Sequence, residues 1–303
     1  MYDVIIIGSG PAGLSAAIYA ARARLNTLVI EEKPLSGGQI VNTYEVDNYP
    51  GLPGISGFEL AQKMRAHADK LELEFLTASV TGMEDKGNVK IVAAGGRLLE
   101  TRTILIASGA EHRKLGVPGE NALSGMGVSY CATCDGAFFR ERTVAVIGGG
   151  DVALEDALFL ARSCKKVYLI HRRDTFRGAK VLSEQVMRNE KIEICYNTVV
   201  EEIQGEDMVQ KIAVYNKQED KHDTIPVDGV FIAVGIIPNN AAVLSSVKTD
   251  EQGYIAAGED CVTNVTGIFA AGDIRTKQLR QVITAAADGA NAVTSIENYL
   301  LTL

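Results

Sequence analysis

The chain has 303 residues, 47% apolar and 22% charged, with a net charge of −8 at pH 7. That length accommodates about two domains and buries roughly three quarters of the unfolded surface, so no covalent staple is needed for folding. The acidic balance and dispersed basic residues argue against a nucleic-acid partner, and no apolar run reaches the ~20 residues of a membrane span. Neither a basic leader nor a cleavage site precedes the first apolar run, so a cytoplasmic location is expected.

The opening "YDVIIIGSGPAGLSAAIYAARARLNTLVIEEKP" reads as strand, glycine turn, helix, strand. Val4 to Ile7 is the buried parallel strand, and an Ala-rich helix follows the turn through Arg24. Thr27 to Ile30 is the next strand. Gly8, Gly10, Pro11, Ala12 and Gly13 form the turn, whose small residues let backbone amides approach a pyrophosphate at the helix N-terminus. The second strand ends in Glu31 and Glu32, and a carboxylate there accepts hydrogen bonds from a free ribose hydroxyl. The unit therefore suits FAD or NAD. "SGGQIVNTYEVDNYPG" and, further on, "RTILIASGAE" come next.

"SYCATCDGAFFR" places Cys131 and Cys134 three apart, with Asp135 directly behind. Zinc would need two further ligands, but Cys164, Cys195 and Cys261 stand singly in apolar stretches and the histidines are scattered. A structural disulfide over so small a loop would remove little entropy from the unfolded chain. Redox chemistry needs an electron source, which the next segment supplies. The three single cysteines read as small buried or half-buried hydrophobes.

The fingerprint recurs in "RTVAVIGGGDVALEDALFLARSCKKVYLIHRRDTFR". Its strand is Val144 to Ile147, its turn Gly148, Gly149 and Gly150, with Ala153 in the third small position. Val167 to Ile170 is the second strand. Gly13 to Glu31 and Ala153 to His171 are both 18 residues, so His171 and Arg172 replace the two glutamates. Arg173 and Arg177 follow. Arginines there form a cationic clamp for a 2′-phosphate, so this unit suits NADP(H). Asp151 opens the helix and is expected to point away from a phosphate.

Near the C-terminus, "NVTGIFAAGDIRTKQLRQVITAAADGANAVTSI" reads as a short strand, then Gly272 and Asp273, then a long small-residue helix. An acid on a short turn can bond a sugar or ribityl hydroxyl. The two ends of the chain are expected to grip one nucleotide together.

The ordered set "GSGPAG", "SGGQ", "DNYPG", "CATCDG", "GGGDVA", "HRRDTFR", "GIFAAGD" and "LRQVITAAADG" resembles the low-molecular-weight bacterial thioredoxin reductases over essentially the whole chain. The resemblance implies an α/β fold of two Rossmann-like dinucleotide-binding domains, the second inserted into the first. The discontinuous FAD domain would comprise residues 1–114 and 243–303, and the NADPH domain residues 115–242. With the first glycine turn, Gly38, Gln39, Asn48, Ser108, Gly109, Gly272, Asp273, Arg280 and Gln281 would hold FAD. Gly148, Gly150, Asp151, Ala153, His171, Arg172, Arg173 and Arg177 would hold NADPH.

The activity implied is electron transfer from NADPH, through FAD and the Cys131/Cys134 dithiol, to thioredoxin. Cys134 would lie on the flavin side, Cys131 would attack the partner disulfide and Asp135 would carry the proton. A homodimer is implied as well. The resemblance implies no fused thioredoxin-like domain before "YDVIII" and no second redox pair after "NYLLTL". Alternatives are reduction of another disulfide protein, a ferredoxin-driven flavin reductase, and a sensor that binds cofactors without turnover.

Overall fold

Continuous runs of Val, Ile and Leu, flanked by glycine, form strands buried on both faces, as parallel sheets covered by helices require. The computed structural model describes every residue except Tyr44, Glu45 and Leu244. The chain divides into two compact units, residues 1–111 with 237–303 and residues 112–236. It crosses between them at 111/112 and 236/237, where the sequence reading put the crossings at 114/115 and 242/243. Asn239 N–H donates to Gly109 O (3.0 Å) on the first unit's side, and Arg113 N–H to Gly235 O (2.9 Å) on the second's.

In the larger unit the strands run in the order Glu74–Thr77, Thr27–Glu31, Tyr2–Ile7, Arg97–Ile106, Lys90–Ala94, Val80–Asp85. The first four are parallel, and the last two return antiparallel. Ile268–Ala270 joins the end of Arg97–Ile106 in parallel, pairing Ala270 with Ile106. Strand 268–270 comes from the far end of the chain, so it carries Gly272 and Asp273 to the edge where the first glycine turn lies.

The helix Pro11–Arg22 starts on proline, which needs no donor at that position. Ala12, Ala16, Ala17 and Ala20 make its buried stripe, packed with Ala285, Ala292, Val293 and Ile296 of the helix Val282–Leu300. A Cβ on Gly289 would stand 2.2 Å from Ala12 O, so the two helices cross with backbone against backbone.

The smaller unit holds a parallel sheet in the order Ile192–Cys195, Lys166–Ile170, Thr143–Gly148, Gly229–Ala233, Val128–Ser129. The helix Asp151–Ala161 covers it through Ala153, Leu154, Ala157 and Leu160. A three-stranded antiparallel meander, Thr198–Gly205, Val209–Asn216 and Lys221–Pro226, completes the unit. Each sheet thus presents a glycine turn at the carboxyl end of a central strand, where open α/β sheets bind ligands. Among the described residues no helix is long and apolar enough to cross a membrane.

Candidate active site and nucleotide sites

At the first turn, Gly8 has φ +101, and a Cβ there would lie 2.4 Å from Ala107 O. Gly13 admits no Cβ either, because Gly8 O would be 1.9 Å away. The helix begins at Gly10 with no side-chain cap and no acid in its first turn, which leaves its amides for an anion. Ser9 is fully buried and donates its N–H (2.8 Å) and hydroxyl (2.7 Å) to Glu31 Oε2. The Glu31 carboxylate is therefore fixed against the turn. Glu32 is exposed and accepts from the Ser79 hydroxyl at 2.8 Å, so the two glutamates do different things. Gly37 N–H donates to Ser9 O (2.8 Å), which brings the Gly37–Gly38 loop alongside.

The C-terminal segment closes the same site. A Cβ on Gly272 would come within 2.9 Å of the Ala12 side chain, placing Asp273 beside the start of the first helix. Asn48 Nδ2 donates to Gln281 Oε1 (2.9 Å), and Gln39 Nε2 donates to Ala110 O. The Ser108 hydroxyl donates to Asn239 O at 2.7 Å, which pins the Ser108–Gly109 bend. Two buried polar atoms here have no partner among the described residues, Asp273 Oδ1 and Arg280 Nε. Burial raises the Asp273 carboxyl above its ordinary value, against the lowering effect of Lys277 and Arg280. An unpaired acceptor and an unpaired cationic donor beside an open helix N-terminus suit a nucleotide with hydroxyls and a pyrophosphate, so the residues present fit FAD.

Sequence reasoning missed Asp288, which is 4% exposed. It accepts from Arg275 Nε (2.8 Å) and Nη2 (2.6 Å), from Lys277 Nζ (2.9 Å) and from Gly272 N–H (2.9 Å). Burial works to raise this carboxyl, but the bonds from Arg275 and Lys277 outweigh it and hold the carboxyl below its ordinary range.

The second turn is tied to the arginine loop. Arg177 N–H and Gly178 N–H donate to Gly149 O (2.8 and 3.2 Å), and Ala179 N–H donates to Asp151 Oδ1 (2.7 Å). Asp151 is thus turned toward the 178–179 backbone. Arg172, Arg173 and Arg177 are exposed. His171 differs from them. Its ring is buried, with Nδ1 3.0 Å from Gly148 O and Nε2 2.9 Å from Thr175 O. Burial lowers its pKa, with Arg173 and Arg172 adding to the effect. Both ring nitrogens face backbone, so His171 is a strut between the glycine turn and the arginine loop.

A Cβ on Gly149 would lie 2.2 Å from the His171 ring, which has no free direction in which to yield. Gly149→Ala is expected to destabilise the protein by about 1–3 kcal/mol, as overpacking does, and to weaken dinucleotide binding. Urea unfolding of holoprotein beside dinucleotide titration checks both effects.

A disulfide joins Cys131 and Cys134 at the start of the short helix Ala132–Asp135. Both cysteines are half-buried. Ser129, also missed by sequence reasoning, bridges the group. Its Oγ accepts from Cys131 N–H (3.1 Å) and donates to Asp135 Oδ2 (2.5 Å). Asp135 Oδ1 is buried without a partner among the described residues, and burial raises the carboxyl despite the Ser129 bond. A carboxyl whose acid form is favoured by burial, set beside a disulfide, is suited to passing a proton to or from the sulfurs. Tyr130, next to Cys131, donates to Glu120 Oε1 (2.7 Å), and Glu120 also accepts from Leu115 and Gly116 N–H. That buried carboxylate secures the "LGVPGE" turn.

The remaining thiols are inert by environment. Cys164 and Cys261 are buried and Cys195 is half-buried. Burial raises Cys164, and pushes Cys195 up to about 11 and Cys261 up to about 12.

Asp156, on the helix Asp151–Ala161, is pushed up to about 7 by burial, with Glu155 adding to it. The native state thus binds this proton more tightly than the unfolded chain, whose value is near 3.8. The corresponding stability is present below about pH 4 and is lost as pH rises toward 7. Asp156→Asn removes that loss. The variant is expected to match the parent at pH 4 and exceed it by on the order of 2 kcal/mol at pH 8. Denaturant unfolding at the two pH values checks this.

The profile of the family described as "Pyridine nucleotide-disulphide oxidoreductase" matches residues 2–289. The chain is 47% identical to a thioredoxin reductase of Listeria innocua over 99% of this chain and 94% of that one. It is 44% identical to a thioredoxin reductase of Bacillus subtilis over 99% and 95%. The crystal structure of thioredoxin reductase from Streptococcus pyogenes MGAS5005 superposes with a TM-score of 0.96 at 43% identity, covering 100% of this chain and 99% of that one. With its two Rossmann-like units and its paired cysteines, the chain belongs to the pyridine nucleotide-disulphide oxidoreductases, among the low-molecular-weight thioredoxin reductases.

Proposed function

We propose that this chain is an NADPH-dependent flavoprotein that reduces the disulfide of thioredoxin through the Cys131–Cys134 pair. The observation that carries the reading is that disulfide, set in a chain with one complete dinucleotide turn in each of its two units. The larger unit takes FAD. Its pyrophosphate goes to the Gly8–Gly13 turn, its ribose to Glu31, and its remaining polar groups to Asp273, Arg280, Gln281, Asn48, Gly38, Gln39 and the Ser108–Gly109 bend. The smaller unit takes NADPH at Gly148–Ala153, with Arg172, Arg173 and Arg177 on the 2′-phosphate and His171 holding them in place.

When bound, the flavin supplies two-electron transfer between nicotinamide and disulfide. The chain's own part is to open the Cys131–Cys134 bond as the electron pair arrives, with Asp135 giving up or taking the accompanying proton. Cys131 then attacks the partner disulfide as a thiolate. Cys134 resolves the mixed disulfide, which regenerates the internal bond and frees the partner dithiol. In sum, one hydride and one proton convert one partner disulfide to two thiols.

The arginine trio supports NADPH over ferredoxin as the electron source. Homodimeric assembly and residence in a reducing compartment belong to the same proposal, the latter supported by three unpaired thiols, two buried and one half-buried, beside one close pair. The test is oxidation of NADPH by the FAD-loaded protein with and without oxidised thioredoxin. Consumption that depends on thioredoxin is expected. Cofactor binding without electron flow would favour a sensor.

A further inference from the structure

We propose that Asp288 is the positioning residue of the flavin site, holding the 272–280 segment in the one form that aims Asp273 and Arg280 at the cofactor. The inference rests on the assignment of FAD to the larger unit.

Among the described residues, the donors to the Asp288 carboxylate all come from the segment it would control. Gly272 N–H precedes Asp273, while Arg275 and Lys277 follow it, so one carboxylate clamps both sides of the turn. Lys277 and Arg275 are both buried against it, their side chains 6% and 9% exposed.

The arrangement continues outward. Arg275 O and Lys277 O accept from Arg280 Nη2 (3.4 Å) and Nη1 (3.2 Å), and the Arg280 guanidinium lies 4.1 Å over the Tyr254 ring. Its Nε is left buried and unpaired, as is Asp273 Oδ1. Within this network the two buried polar atoms without partners among the described residues thus belong to the two residues assigned here to the cofactor. A network satisfied everywhere except at its ligand face is preorganised for that ligand.

Asp288 itself stands on a rigid support. Its neighbour Gly289 meets Ala12 O, and Ala285, Ala292 and Val293 lie in the core around the first helix. The carboxylate is therefore referenced to the same helix whose N-terminus receives the pyrophosphate. Loss of its charge would leave Arg275 and Lys277 buried without a counterion, and the segment would have to rearrange to solvate them.

The test compares Asp288→Asn with the parent as full-length protein, stripped of flavin and reconstituted. The expected result is an FAD dissociation constant raised tenfold or more, with an altered visible flavin band. The melting-temperature gain on adding FAD should shrink, while NADPH binding by the smaller unit stays at the parent value. Arg275→Lys keeps the charge but loses the two-pronged bond, and should weaken FAD severalfold with the same spectral change. It serves if Asp288→Asn does not fold.

A folded variant with parental FAD affinity and flavin spectrum would overturn the inference, even if its melting temperature fell equally with and without FAD. Such a result would mark Asp288 as a fold-stabilising residue only. Failure of the parent protein itself to bind FAD would instead overturn the cofactor assignment.

Discussion

Serine at either Cys131 or Cys134 is expected to lower thioredoxin reduction by more than about a thousandfold, the scale on which loss of a nucleophile acts. Reduction of the bound flavin by NADPH should survive, because neither glycine turn nor the arginine loop is touched. The two variants should then part company. Cys134→Ser leaves the attacking thiol without its resolving partner, so it should accumulate a mixed disulfide with thioredoxin. Cys131→Ser should accumulate none. Non-reducing electrophoresis with oxidised thioredoxin reads the difference, and the opposite pattern would exchange the two roles. Ser129 and Asp135 remain in place in both variants, so the comparison isolates the sulfurs.

Removing the arginine clamp gives the second large effect. Arg172→Ala, Arg173→Ala and Arg177→Ala together are expected to cut the NADPH-over-NADH preference by on the order of 100- to 1000-fold. Charge-assisted bonds are worth about 1.5–3 kcal/mol each, and exposure of these side chains reduces that figure. The loss should appear as a higher KM for NADPH with kcat nearly unchanged, since the phosphate is remote from the transferred hydride. Activity with NADH should hold steady, because His171 still joins Gly148 to Thr175. Raising the salt concentration should shrink the parent's preference in the same direction. Steady-state kinetics with both nucleotides decide it.

The glycine turns were legible in sequence because only a residue without Cβ tolerates approaches such as Gly13 to Gly8 O or Gly149 to the His171 ring. The polar residues at the ends of the second strands were legible through their fixed spacing from those turns, and Glu31 and His171 each bond to their own turn. What the sequence blurred was the division of labour among neighbours. Glu31 and Glu32 look alike as letters, yet Glu31, the last strand residue, bonds Ser9 while Glu32, just past the strand, bonds Ser79. Just past the other second strand, His171 is buried against Gly148 O while Arg172 is exposed, although both stood together among the residues expected to hold NADPH.

Partners distant in sequence were beyond local pattern altogether. Asn48 and Gln281 meet across 233 residues, and nothing local to either announces the other. Asp288 reads as a polar interruption in a small-residue helix, and only the return of the 268–270 strand brings Arg275 and Lys277 to it. A buried acid among alanines was the available signal, since such a group must find cationic or donor partners. Ser129 was equally visible as a hydroxyl beside a redox pair. Its bond to Asp135 depends on the tight turn of the Ala132–Asp135 helix, which four residues of sequence do not specify.

The most direct measurement is an anaerobic count of thioredoxin thiols against NADPH consumed by catalytic amounts of the FAD-loaded protein. The expected result is two thiols per NADPH, with transfer lost in Cys131→Ser and NADH at least tenfold poorer at equal concentration. Flavin reduced by NADPH with no new thiols in thioredoxin would contradict the account, as would equal or better turnover with NADH.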